Sequence, residues 1–402
     1  MRAGRDRVNA PSSVLVVGAS AAGLITAEAL RRKGYQGGLT VLGAEPHLPY
    51  DRPPLSKQVL SGAWDPERAQ LRPQETLSTL DAEFILADPA VGLDAVVRTV
   101  HTASGRALRA DAVVVATGLR PRTLAGQAEL AGVHVLRTLD DALALRADLL
   151  AHSRLVVVGE GVLGAEIAAT ARGMGLEVTM AGPMPAPLAG QVGPAVAGML
   201  ADLHTERGVR LRLGAGVSGL SGHQGRVTGV RLDTGEVLPA DVVVVAIGAD
   251  PATEWLAGSG LRVDNGLVCD SRCRAAEGIY AVGDVARWHH DKLGALLRLE
   301  NRTNATEQAD TVAANILGAD QPYCPVPYFW TDQFDTKIQV HGVLPVDAEV
   351  SVVDGDQESR RFVALYRRDD RVTGVLGWNM PKQTRLRRQD VVDALSDLVP
   401  TP

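Results

Sequence analysis

An α/β protein with two Rossmann-like dinucleotide-binding domains and a smaller C-terminal α+β domain is predicted by three observations. Two glycine fingerprints stand far apart, Gly18-Ala19-Ser20-Ala21-Ala22-Gly23 and Gly159-Glu160-Gly161-Val162-Leu163-Gly164. Each follows an apolar, β-branched run, Val14 to Val17 and Leu155 to Val158, and each opens a helical pattern. From about Tyr323 the character changes to aromatics and alternating strands. A strand, a tight turn and a helix in that order put a pyrophosphate on the helix N-terminus, where free N–H groups and the helix dipole meet the anion. Two such units on one chain point to two dinucleotides, a bound flavin and a diffusing nicotinamide.

Periodicity predicts a first strand at Val14–Val17, a helix at Ala22–Lys33 and a second strand at Leu39–Leu42. Glu45 lies just past that strand, where an acid can accept hydrogen bonds from an adenosine ribose; the alternative is an exposed loop glutamate. The segment Leu48 to Lys57 reads LPYDRPPLSK. Its prolines fix φ and lower the entropic cost of holding Arg52 and Lys57 in place.

Asp111 to Arg120, DAVVVATGLR, is a buried strand ending in Ala-Thr-Gly, and Asp241 to Ala249, DVVVVAIGA, nearly repeats it. The echo predicts strands crossing between two nucleotide domains. The second fingerprint, with its own following strand at Glu177–Met180, lies between them. Residues 118–244 are therefore expected to form an inserted domain, with 1–117 and 245–322 making the first. GIYAVGD, Gly278 to Asp284, returns the chain to the first domain with a strand that ends in an acid. Residues 323–402 form the third unit, with strands at Lys337–Val340, Arg361–Leu365 and Val372–Trp378 and a short helix near Gln389–Leu395.

A chain of 402 residues exceeds one ordinary core, in line with this division. The net charge of -6 argues against general nucleic-acid binding. Cys269, Cys273 and Cys324 are an odd set without CxxC spacing, which fits neither a disulfide framework nor a zinc site and favours a reducing cytoplasm. Met1 to Arg7 is basic, but the apolar run after Ser13 flows into the glycine turn and does not read as a signal sequence. No segment approaches the roughly 18 continuous apolar residues of a membrane span.

Taken together, GASAAG (18–23), LPYDRPPLSK (48–57), ATGLRPR (116–122), GEGVLGAE (159–166), GIYAVGDVA (278–286), ENRTNATEQ (300–308) and PVPYFWTDQFDTKIQVHG (325–342) resemble a known family. It is that of the FAD-dependent ferredoxin reductases of bacterial monooxygenase and ring-hydroxylating systems, with a glutathione-reductase-like fold. The motifs span almost the whole chain in the family's order. The resemblance implies FAD on the first domain, with Gly18, Ser20, Ala22 and Gly23 at the pyrophosphate turn and Glu45 at the ribose. Arg52 and Lys57 stand on the flavin side, Ala116, Thr117, Gly118 and Arg122 on the crossing strand, Gly248 on its echo, and Gly283 and Asp284 at the ribityl chain. On the second domain Gly159, Gly161, Leu163 and Gly164 cradle NAD(P)H. Glu166 faces the nicotinamide and approaches Lys57, an orienting pair; the plain alternative is a glutamate complementing the helix dipole.

Two departures stand out. After the second strand of the second domain the chain reads Val178-Thr179-Met180-Ala181-Gly182-Pro183, without the ribose-binding glutamate that NADH-using relatives commonly carry near Gly182. Ala186 and Gly190 stand where arginines would meet a 2′-phosphate, so the balance is toward NADH, with NADPH as the alternative. The second departure is Asn301-Arg302, where many relatives have His-Trp.

Trp330 matches the family's aromatic beside the flavin, although a tryptophan in the core of a small sheet needs no function. Arg302, Arg360, Arg361, Arg385, Arg387 and Arg388 are either a solvated face or a docking face for an acidic two-iron two-sulfur ferredoxin. Lys57 stands where disulfide reductases carry a redox cysteine pair. The expected protein is a cytoplasmic monomer or weak homodimer that takes hydride from NADH and passes single electrons to ferredoxin. The rival readings are a flavin oxidase or ferric reductase, and an NADH-sensing flavoprotein resembling apoptosis-inducing factor.

Overall fold

The computed structural model describes residues 10–397, so the basic start Met1–Arg7 lies outside the described residues. Val14 to Val17 are each no more than 2% exposed. A strand sealed on both faces belongs inside a parallel sheet, and Ser13–Val17 lies between Gly38–Leu42 and Ala112–Val115, parallel to both. Helix Ala21–Arg32 makes the first crossover. The full sheet has six strands in the order Arg274–Ala276, Ile279–Ala281, Ala112–Val115, Ser13–Val17, Gly38–Leu42 and Glu83–Ile85. Ile279–Ala281 runs parallel to Ala112–Val115, so the chain rejoins its first sheet late, as GIYAVGD suggests.

The second sheet repeats the plan with five parallel strands: Arg210–Leu213, Glu177–Gly182, Arg154–Val158, Val242–Val245 and Val133–His134. The two echoed segments carry the chain out and back. Leu119–Pro121 and Ala249–Pro251 pair antiparallel as a two-stranded ribbon.

The C-terminal unit is an antiparallel sheet in the order Tyr328–Gln333, Thr336–Gly342, Arg371–Trp378, Arg361–Arg368 and Glu349–Asp356, followed by helix Pro381–Ser396. Two strands and most of that helix exceed the sequence expectation. Glu349–Asp356 is an edge strand with Asp and Gly in its second half and no fully buried residue, so it lacks the alternation that marks a strand. The helix starts at Pro381, a favoured first position, and buries only Thr384 and Val391.

One apolar cluster joins Leu55 and Val59, Ile167 and Leu200, and Val340, Phe362 and Trp378. The LPYDRPPLSK segment, the second nucleotide domain and the C-terminal sheet therefore pack as one body. Their meeting point is the cleft described next.

Candidate active site

Both glycine turns are closed by backbone contact. Gly18, at φ +123°, donates its N–H to Leu42 O at 2.7 Å. A Cβ there would lie 2.2 Å from Ala116 O, and one on Gly23 would lie 1.8 Å from Gly18 O. Gly159, at φ +116°, donates to Ala181 O at 2.8 Å. Its Cβ would lie 2.2 Å from Ala246 O, and that of Gly164 would lie 2.1 Å from Gly159 O. Only glycine permits these approaches. The helices that follow, Ala21–Arg32 and Val162–Gly173, have no side-chain cap and no acid in the first turn. Their leading N–H groups are thus open to an anion.

Between the turns runs a cleft of about 750 Å³. Ser20, Ala22, Ala116, Thr117, Gly118 and Asp284 line it together with Gly161, Leu163, Glu166 and Gly248. Lys57, Arg52 and Trp330 line the same cleft. The structure thus brings together most residues singled out in the sequence. Gly18, Gly23, Gly159, Gly164 and Gly283 sit behind the wall, where they shape the backbone.

At the centre Lys57 Nζ lies 2.6 Å from Glu166 Oε2, and the two side chains are only 13% and 7% exposed. Glu166 joins three parts of the chain. Its Oε2 also accepts the Ser56 hydroxyl at 2.6 Å, and its Oε1 accepts the Thr331 hydroxyl at 2.9 Å. Thr170, one turn along the same helix, donates to Ser56 O at 2.8 Å. Lys57 is held by a short π-helical turn, Leu55–Val59, that follows the two prolines. Ser56 and Thr331 were not singled out in the sequence, because a lone hydroxyl has no spacing signature.

Glu45 is already engaged. Its Oε1 takes Arg52 Nη2 at 2.7 Å and its Oε2 accepts the Tyr50 hydroxyl. Burial pushes that phenol up to about 12, so Tyr50 remains a donor. Arg52 also donates to the Arg137 carbonyl. Arg137 approaches Asp284 at 3.5 Å, a cleft partner absent from the sequence reading. Arg122 lies off the cleft in an exposed pair with Asp250 at 2.8 Å. Asp51 and Arg302, 2.6 Å apart, tie the proline segment to the start of helix Arg302–Ile316, whose N-cap Asn301 accepts the Asn304 N–H at 2.7 Å.

Trp330 stacks on Tyr328 with ring centres 5.9 Å apart, and Tyr328 stacks on His341 at 4.6 Å. Burial, with help from Arg388, pushes the His341 imidazole down to about 4. Several of the arginines grouped by sequence are neutralised locally: Arg302 by Asp51, Arg360 by Glu206, and Arg387 by Asp354 and Asp390. Arg361, Arg385 and Arg388 are exposed and make no ion pair among the described residues. Cys269 and Cys273 are buried thiols; burial drives the first well above its ordinary range and the second up to about 12. Among the described residues no cluster could hold a metal ion and no helix is long and apolar enough to cross a membrane.

Two glycine cradles, two uncapped helix ends and one joining cleft fit two dinucleotides laid end to end. Residues 12–309 match the family model described as pyridine nucleotide-disulphide oxidoreductase, and residues 328–395 match a reductase C-terminal domain. Rhodocoxin reductase of Rhodococcus erythropolis is 38% identical over 94% of this chain and 88% of its own. The ferredoxin–NAD(+) reductase subunit of the benzene 1,2-dioxygenase system of Pseudomonas putida is 36% identical, covering 93% and 90%. Among solved structures, the covalent putidaredoxin reductase–putidaredoxin complex aligns with a TM-score of 0.90 at 33% identity, covering 98% of this chain and 94% of that one.

Proposed function

We propose, from the premise that this chain belongs to the pyridine nucleotide-disulphide oxidoreductase family, that it is the reductase of an oxygenase system, carrying electrons from NADH to a two-iron two-sulfur ferredoxin. The chain is an oxidoreductase whose cofactors are FAD and NAD(P)H. FAD, when bound, supplies the redox chemistry, accepting a hydride and releasing electrons one at a time.

The protein's part is geometric. The first glycine turn and its helix end hold the FAD pyrophosphate, with Asp284 and Arg137 beside the ribityl chain. The second turn holds the nicotinamide nucleotide. The Lys57–Glu166 pair, fixed by Ser56 and Thr331, is largely buried and positions the nicotinamide ring. Each of the three segments that make this junction supplies a side chain, so the pair would orient a nicotinamide bound beside it.

The observation that carries the reading is that Lys57, and no cysteine, lines the cleft, where it pairs with Glu166. The buried thiols lie elsewhere, so no disulfide relay intervenes between nucleotide and acceptor. Trp330 and Tyr328 line the wall toward the C-terminal sheet, a π-surface through which electrons leave. Exposed Arg385 and Arg388, on helix Pro381–Ser396, give a ferredoxin a cationic contact near it; their main effect is on the encounter rate. The proposed domains are 1–117 with 245–322, 118–244 and 323–402, one boundary falling before Val245, the last residue of strand Val242–Val245; the proposed compartment is the cytoplasm.

A coupled assay tests it: NADH-dependent reduction of ferric cytochrome c, with and without an added two-iron ferredoxin. Turnover that requires the ferredoxin is expected. Full NADH consumption with oxygen alone would instead identify an oxidase.

A further inference from the structure

We propose that Glu160 selects NADH over NADPH, an assignment that rests on the reductase reading above. A dinucleotide fold commonly holds the adenosine ribose with a carboxylate near the end of its second strand, which accepts the 2′-hydroxyl and repels a 2′-phosphate. Here that strand, Glu177–Gly182, ends in Ala181 and Gly182 and is followed by Pro183. It supplies no acid of its own.

The structure brings a carboxylate to the same place from the neighbouring turn. Glu160 stands between the first two glycines of the second fingerprint. A Cβ built on Gly182 would lie 1.5 Å from Glu160 Oε2 and 2.5 Å from its carboxyl carbon. The carboxylate therefore fills the volume that a side chain at 182 would take, and Gly182 is the residue that leaves room for it. The acid has moved from one wall of the ribose site to the other.

Glu160 is also held in position. Its Oε1 accepts the Met184 N–H at 3.1 Å and its carbonyl accepts the Leu188 N–H at 2.9 Å. Overall the residue is 7% exposed. Oε2 takes no protein donor among the described residues, yet it is not among the sealed, unpartnered side-chain atoms, so it keeps contact with solvent. One oxygen is anchored and the other is free to accept a ribose hydroxyl. Glu160 has no ion-pair partner among the described residues, and the loop that follows offers Ala186 and Gly190 rather than cations. A 2′-phosphate would meet an uncompensated like charge in a largely buried setting, where such repulsion is least screened.

The test is calorimetric binding of ADP-ribose and of 2′-phospho-ADP-ribose to the oxidised holoenzyme. The native protein is expected to prefer ADP-ribose by roughly a hundredfold or more. Glu160→Gln removes the charge and one strong acceptor; it is expected to weaken ADP-ribose about tenfold and to narrow the preference by at least as much. Gly182→Ala leaves the glutamate in the chain but displaces its carboxylate, and is expected to narrow the preference in the same direction. An unchanged flavin spectrum and melting temperature show that each variant has folded. A preference unchanged within about twofold in both variants overturns the assignment. Failure of the native protein to bind either ligand overturns the reductase reading, and the assignment falls with it.

Discussion

The two glycine turns are nearly superimposable in their constraints, yet they serve different guests. Gly18 and Gly159 share a positive φ, and a Cβ added to either would lie 2.2 Å from the carbonyl oxygen that follows the next strand over. What differs is the cover. The first turn shares its cleft with the proline segment, with Asp284 and Arg137, and with the Asp51–Arg302 tie. Beside the second turn stands Glu160, with one oxygen still free. In the proposed function, then, the side chains around each cradle, and not the cradle itself, decide whether a nucleotide stays or leaves.

The change that would break this comparison most completely, through loss of a whole nucleotide, comes from the same substitution in both turns. Gly18→Ala is expected to cost about 2–4 kcal/mol through strain and overlap, and to yield a protein that loses FAD. Gly159→Ala carries the same local strain but should keep its flavin absorbance while losing nicotinamide-nucleotide binding. Absorbance spectra and nucleotide titrations of the two variants check this. Identical losses in both would erase the proposed division between resident and passing nucleotide.

Next comes the junction between the two sites. Lys57→Ala leaves Glu166 buried without its cation, and breaking a buried pair from one side costs about 3–5 kcal/mol. Single-turnover flavin reduction should slow markedly. The double variant Lys57→Met with Glu166→Gln is expected to recover much of the melting temperature but not the rate. Unchanged flavin reduction in Lys57→Ala would refute the place assigned to this lysine.

A smaller effect is expected at the exit. Trp330→Ala should leave flavin reduction by NADH nearly intact and slow electron delivery to ferredoxin about tenfold, a barrier change near 1.4 kcal/mol. Stopped-flow reoxidation of the reduced protein measures it.

The last leaves the nucleotide sites untouched and concerns the aromatic cover that continues from Trp330 through Tyr328 to His341. The folded pKa of His341 lies at about 4, below its ordinary 6.5, because burial disfavours the imidazolium. The unfolded chain then binds the extra proton first, so stability present above pH 6.5 is lost as pH falls through about 4. The loss is of order 3 kcal/mol at most. Replacing His341 with Phe should flatten that part of the stability profile, followed by denaturant unfolding at several pH values.

How far the chain could be read in advance depends on how local each constraint is. The fingerprints were legible because a glycine turn after a buried strand leaves a mark within six residues. Lys57 and Glu166 were legible through the family resemblance, and the structure places them 2.6 Å apart. Ser56 and Thr331 were not, since their partner is distant in sequence. Glu160 was hidden for the same reason: the missing acid at Gly182 was visible, but its replacement comes from another loop. Arg360 and Arg387 belong to a charge run in sequence from which Arg302 stands apart, while Asp51, Glu206 and Asp354, which pair with the three, lie in other segments.

The most direct test of the central claim is anaerobic stopped-flow mixing of the purified yellow protein with NADH or NADPH, followed by a two-iron ferredoxin. Rapid loss of flavin absorbance with NADH, slower loss with NADPH, and rapid recovery on adding ferredoxin are the results predicted. Slow bleaching by both nucleotides, or a reduced flavin that ferredoxin leaves untouched, would contradict the account and favour a sensor or an oxidase.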